Sequence, residues 1–253
     1  MANLKVSILT ILSFASLVGC DKKETEKSSV PETAAPTPTP TSKRFTESDR
    51  VALMEEHYVV AIGAHDMLIA GDLERFRTQF DSLSSQELPS NAPEAWRAPH
   101  GHMQKAAETA KQAMTLEEAA TSMAFVVQAC GSCHAANPNR GPVYRQPSEP
   151  EGEDRTAKMK HHQWASERLW EGVTGPSDYA WSRGTAALAK SRVFAEGQGT
   201  KALLELEQKM RALGEDAKKL TVLADRAKLY GKLLASCGSC HQQMGIEIKG
   251  ANH

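Results

Sequence analysis

The sequence predicts an all-α protein built as two tandem four-helix bundles, and three observations carry that expectation. Aromatic residues make up only 6% of the chain, whereas Ala, Leu, Met, Glu and Lys, which favour helices, are plentiful. Apolar positions recur every three to four residues through most of residues 44–242, the helical period. A run of four such stretches ending in one pentapeptide also occurs twice. The pentapeptide is Cys130-Gly131-Ser132-Cys133-His134, repeated 107 positions later as Cys237-Gly238-Ser239-Cys240-His241.

The elements are justified in order as follows. Residues 1–19 carry Lys5 and then an apolar run from Val6 to Val18, too short to span a bilayer and proportioned like a secretory signal. Residues 20–43 are charged, then rich in Pro and Thr (Pro31, Pro36, Pro38, Pro40). They lack apolar periodicity and read as an extended tether. The first bundle is expected over residues 44–140. Its first helix carries Val51, Met54, Tyr58, Ile62, His65 and Ile69 and breaks at Gly71-Asp72. Leu73, Phe76 and Phe80 mark a second helix that ends before Leu88-Pro89, and a loop holds Pro89, Pro93 and Pro99. A third helix is expected from about Gly101 to Met114. A fourth starts at the N-cap Thr115, with Glu118 in the first turn, and runs into the first pentapeptide.

Residues 141–153 read as a linker, and residues 154–253 as the second bundle. Its helices are expected over 156–172 (stopped by Gly172 and Gly175-Pro176), 177–194, 200–213 and 217–242, with Gly214-Glu215-Asp216 as a turn. Trp96 and Trp181 are read as packing residues, and Glu205, Glu207, Lys209, Lys218 and Lys219 as solvated helix surface.

The chain of 253 residues has 30 basic and 31 acidic side chains, a balance that gives no reason to expect nucleic acid as a partner. Removing residues 1–19 deletes Lys5 and leaves 29 against 31. Of the five cysteines, four lie in the pentapeptides and the fifth is Cys20. None is left for a disulfide.

Cys-x-x-Cys-His is the attachment pattern of c-type haem. Two thiols add across the two vinyl groups of the porphyrin, and the adjoining imidazole becomes an axial ligand of the iron. At i, i+3 and i+4 of a helix the three side chains share one face. The sequence therefore predicts two haem c groups per chain. Cys130, Cys133, Cys237 and Cys240 are the covalent attachment points, and His134 and His241 are the proximal iron ligands. Zinc or disulfide chemistry at the Cys-x-x-Cys pairs is the alternative reading.

Leu17-Val18-Gly19-Cys20 resembles a bacterial lipobox. The resemblance implies cleavage before Cys20, lipidation of that residue, and a periplasmic protein anchored by lipid to a membrane of the cell envelope. Each haem motif closes its helical unit, whereas most small cytochromes c carry it near the start. In this the chain resembles the class II cytochromes c, the cytochrome c′-like four-helix bundles. In that family the first helix covers the distal face of the haem. The first helices here both hold Met-x-x-His: Met54 with His57, and Met159 with His162. His57 and His162 are thus the distal candidates, Met54 and Met159 the alternatives, and five-coordinate iron the third possibility. One mismatch stands: His57 lies 14 residues before Gly71, but His162 lies 10 before Gly172, about one helical turn apart. His65, His100 and His102 have no counterpart in the second unit and are read as surface residues, and His161 is expected to face away from the haem.

The functional expectation is a membrane-tethered di-haem electron carrier or relay, not an enzyme, with a redox protein as partner. The alternative is a gas-binding or gas-sensing haem protein with five-coordinate iron. A haem peroxidase is less favoured, because no distal acid–base arrangement can be picked out.

Overall fold

The computed structural model describes residues 44–137 and 147–246. Cys20, the leader, the tether and the first part of the linker lie outside the described residues. Among the described residues every regular element is a helix, as expected for an all-α chain. They are α1 (Glu47–Ala70), α2 (Leu73–Thr78), α3 (Phe80–Ser85), α4 (Glu94–Lys111), α5 (Leu116–Ala136), α6 (Arg155–Thr174), α7 (Asp178–Lys190), α8 (Lys201–Ala217) and α9 (Leu223–Met244). None is long and apolar enough to cross a membrane.

The helix starts follow from their caps. At α1 the Thr46 side chain accepts from Asp49 N–H, while the Asp49 carboxylate accepts from Thr46 N–H, a reciprocal box that satisfies two orphan donors. Thr115, Asp154, Ser177 and Thr200 cap α5, α6, α7 and α8 in a one-sided way, each accepting from the third residue on. Gly71 ends α1 at φ 74°, a left-handed conformation that glycine adopts without a Cβ clash.

Several boundaries differ from the sequence expectation. The stretch after Gly71 forms two short helices that meet at Gln79. Helix α4 begins at Glu94 and contains Pro99. That proline deprives the Ala95 carbonyl of its helical donor, but Ala95 is exposed and can turn to water. Gly172 does not stop α6, which continues to Thr174 with Gly175 as its cap. A Cβ on Gly172 would lie 2.8 Å from Trp181 Cα, so this glycine serves the close approach of α7. Gly214 likewise lies inside α8, where a Cβ would sit 2.7 Å from Ala189 N. Helix α7 ends at Lys190, and α9 starts at Leu223 rather than 217.

The described residues form one unit. Within it α4 packs on α5, α3 on α4, α6 on α7 and α7 on α8, and α9 lies against α5 as extensively as α4 does. Helix α9 also packs on α1, and α5 on α6, so α1, α5, α6 and α9 share one core. Leu68, Phe76, Phe80, Met123 and Val127 meet Leu169, Val173, Tyr230 and Leu234 there. Gly231 permits the α5–α9 crossing, since a Cβ on it would stand 2.6 Å from the Ala120 carbonyl oxygen.

Candidate functional site

The two pentapeptides occupy the C-terminal turns of α5 and α9, and each is clasped by the end of the other half's first helix. His134 Nδ1 lies 2.6 Å from the Thr174 carbonyl oxygen of α6, and His241 Nδ1 lies 2.9 Å from the Ile69 carbonyl oxygen of α1. A carbonyl only accepts, so each Nδ1 carries the proton and each Nε2 is left with its lone pair free. The glycines of the motif obey the same exchange. A Cβ on Gly131 would meet the Val173 carbonyl oxygen at 2.2 Å, and one on Gly238 the Leu68 carbonyl oxygen at 2.5 Å.

These contacts are related by constant offsets, 107 positions between α5 and α9 and 105 between α1 and α6. The second offset pairs Leu68 with Val173, Ile69 with Thr174 and His57 with His162. The one-turn mismatch expected between the first helices therefore vanishes. It arises from taking Gly172 as the stop, whereas the cap is Gly175, 13 residues after His162.

The first pentapeptide borders a cavity of about 330 Å³ whose lining includes Cys130, Cys133 and His134 together with Met54 and His57. Its remaining lining is largely apolar and includes Leu53, Trp96, Met103 and, from α6, Trp170. His57 is pushed down to about 4 by burial, with His100 and His134 adding to the effect and Gln86 opposing it. Its Nε2 is buried without a hydrogen-bond partner, as is Nε2 of His100. The two rings lie 5.7 Å apart. His100 is thus a buried cavity residue and not a surface one, and burial lowers its pKa as well. Trp96, read as packing alone, also walls this cavity.

Around the second pentapeptide, Met159, His162, Val193, Phe194, Glu207, Met210 and Met244 gather about Cys237, Cys240 and His241. The space they leave is about 10 Å³. His162 is pushed down to about 4, by burial first and then by His241 and His161. Its Nδ1 is buried and unpartnered. His161 turns instead to Glu149 at 2.8 Å. Glu207 is not solvated surface; it is buried and accepts from Val193 N–H at 2.7 Å.

All four pentapeptide thiols are free. Burial, with a smaller push from the neighbouring cysteine, raises Cys130 and Cys237 to about 12. They are therefore neutral thiols rather than reactive thiolates. Among the described residues no three His, Cys, Asp or Glu side chains converge to hold a bare metal ion. His65, read as a surface residue, is buried between α1, α6 and α9, whereas His102 is exposed.

Compared with protein-family models, curated proteins and solved structures, the chain matches none of them.

Proposed function

We propose that the protein is a lipid-anchored di-haem cytochrome of the bacterial cell envelope that relays electrons. The observation that carries this reading is a repeated one. Each Cys-x-x-Cys-His shares its pocket with an imidazole from the first helix of its own half, and that imidazole has a buried ring nitrogen without a hydrogen-bond partner. A buried ring nitrogen without a partner is costly, and a metal ligand bond would satisfy it. The first cavity has the size and apolar lining of a cofactor site. The second holds the same donor set around only about 10 Å³ of space.

In this reading Cys130, Cys133, Cys237 and Cys240 would hold the two haems through their sulfurs. His134 and His241 present Nε2 as proximal ligands. Their Nδ1–H bonds to Thr174 and Ile69 fix the tautomer and ring direction and raise ligand basicity. His57 and His162 stay neutral at physiological pH and supply the distal nitrogens, with Met54 and Met159 as the sulfur alternatives. A bound haem supplies a one-electron couple at its iron. The packed helices around it exclude water and keep the ligands in place, and Cys20 carries the lipid that tethers the unit to a membrane.

The test is a denaturing gel stained for haem. Wild type should hold haem on the polypeptide, and Cys130→Ala with Cys133→Ala should halve the stain. Colourless wild-type bands would overturn the proposal.

A further inference from the structure

The second pentapeptide sits among sulfur atoms. Cys240 Sγ lies 3.9 Å from Met244 Sδ, one turn further along α9. Met159 of α6 and Met210 of α8 border the same space. His162 borders it too, and its Nδ1 is buried without a hydrogen-bond partner. Glu207 is a neighbour, but its carboxylate accepts from Val193 N–H. The space itself is about 10 Å³, the volume of about one water-sized sphere. It suits a single ion.

The distance between the two sulfurs points the same way. Two sulfurs each about 2.3 Å from one ion, at the angles of a trigonal site, stand about 4 Å apart. The type of donor then selects the ion. Structural zinc takes four ligands from Cys, His and carboxylates, and among the described residues no three of these converge. Thiolate and thioether sulfurs select copper(I), which is satisfied by two or three donors. Met244 brings the third of them as a thioether.

The first half lacks this arrangement. The position that matches Met244, 107 residues earlier, is Asn137, whose amide donates to the Cys133 carbonyl oxygen at 2.9 Å. The donors there also surround a cavity of about 330 Å³, far wider than one ion. The sulfur at 244 is therefore an addition to one side of a repeated framework.

We propose that Cys240, Met244 and His162 form a copper(I) site in the chain before haem is attached. Cys240 Sγ and Met244 Sδ are the sulfur ligands, and His162 Nδ1 is the nitrogen ligand. On binding, the Cys240 S–H bond breaks, a copper–sulfur bond forms, and the proton leaves to water. Copper stays copper(I) throughout, so no oxidant or reductant is consumed. The thiolate cancels the charge of the ion, which leaves no net charge in the core. The Cys240 sulfur cannot serve copper and haem together, so the two occupants exclude each other at this site. The copper proposal does not rest on the di-haem reading.

The experiment is a copper(I) titration of the full chain, made without haem attachment and kept reduced, in competition with bathocuproine disulfonate. The parent protein carries Cys20→Ala, Cys130→Ala and Cys133→Ala, which removes every thiol outside the second pentapeptide. It should hold one copper(I) per chain. Met244→Leu and Cys240→Ser should each weaken binding by about a hundredfold or more, beyond the loss of an outer-shell partner. Met114→Leu, at an exposed position, should leave it unchanged. Copper X-ray absorption should show two sulfurs and one nitrogen. No copper held against the competitor, an affinity indifferent to Met244→Leu, or a shell with a single sulfur would each overturn the proposal. Should the triple variant unfold, the Met244→Leu comparison in the otherwise unaltered chain, read on its tightest copper, decides in the same way. Haem is stained on a separate preparation, so failure of either reading leaves the other standing.

Discussion

His241 donates through Nδ1 to the main-chain carbonyl of Ile69, 172 residues earlier and on the first helix of the other half. His134 does the same to Thr174, so each pentapeptide is oriented by backbone from across the molecule. Neither histidine can keep its setting if the halves separate.

The glycines of the pentapeptides should therefore be intolerant of a methyl group. Gly131→Ala and Gly238→Ala each place a Cβ within 2.5 Å of a main-chain oxygen, which cannot move without shifting a helix. Each should cost about 1–3 kcal/mol or more, lowering the midpoint of thermal unfolding by about 2–4 °C per kcal/mol. The Ser132→Ala change, at a partly exposed position, should cost far less. Circular dichroism melts of the three variants check this.

The distal positions decide between relay and gas binding. Wild type should be six-coordinate and low-spin at both irons. His162→Ala should turn one centre high-spin or let Met159 take the place, and His57→Ala should do the same with Met54 at the first site. A Met ligand would raise the potential. Ferric absorption spectra and carbon monoxide titration of the ferrous protein check this. High-spin wild type that binds the gas at both sites would favour the sensor reading.

Burial also gives the haem-free chain a pH dependence with a defined sign. Folded His57 and His162 titrate near 4, against about 6.5 when unfolded. Between those values the unfolded chain holds more protons, so stability falls as pH drops from about 6.5 to about 4. Above that window their contribution is level. A tenfold loss of proton affinity on folding corresponds to about 1.4 kcal/mol, so the pair should cost several kcal/mol at the acid end. Urea unfolding of chain produced without haem attachment, followed across this range, checks it. In His57→Phe with His162→Phe the slope should flatten.

Anchoring is tested at Cys20. The mature protein should begin there and carry lipid, and Cys20→Ala should abolish lipidation with both haem motifs untouched. Mass spectrometry of the N-terminal peptide reads the result; an unmodified terminus elsewhere would contradict the assignment.

The pentapeptides and the helix leading into the first of them were legible because their signals are local: thiol spacing in one case, and the cap Thr115 in the other. What could not be read locally was tertiary. Gly172 and Gly214 look like helix stops in sequence, yet they stand inside helices to let Trp181 and Ala189 approach. Pro99 hid the first turns of α4 and with them the phase of His100. Trp96, His100 and Met103 at i, i+4 and i+7 are the signal that finds it, once the helix is allowed to run through the proline. The exchange of His134 and His241 between halves leaves no trace in the letters beyond two constant offsets, visible only after the helix ends are known.

The most direct test of the account is a pyridine haemochrome spectrum of the purified protein, quantified against chain concentration after acid–acetone extraction. The account predicts a c-type spectrum in the pellet at two haems per chain. A colourless pellet, with haem in the acetone or none at all, would contradict it.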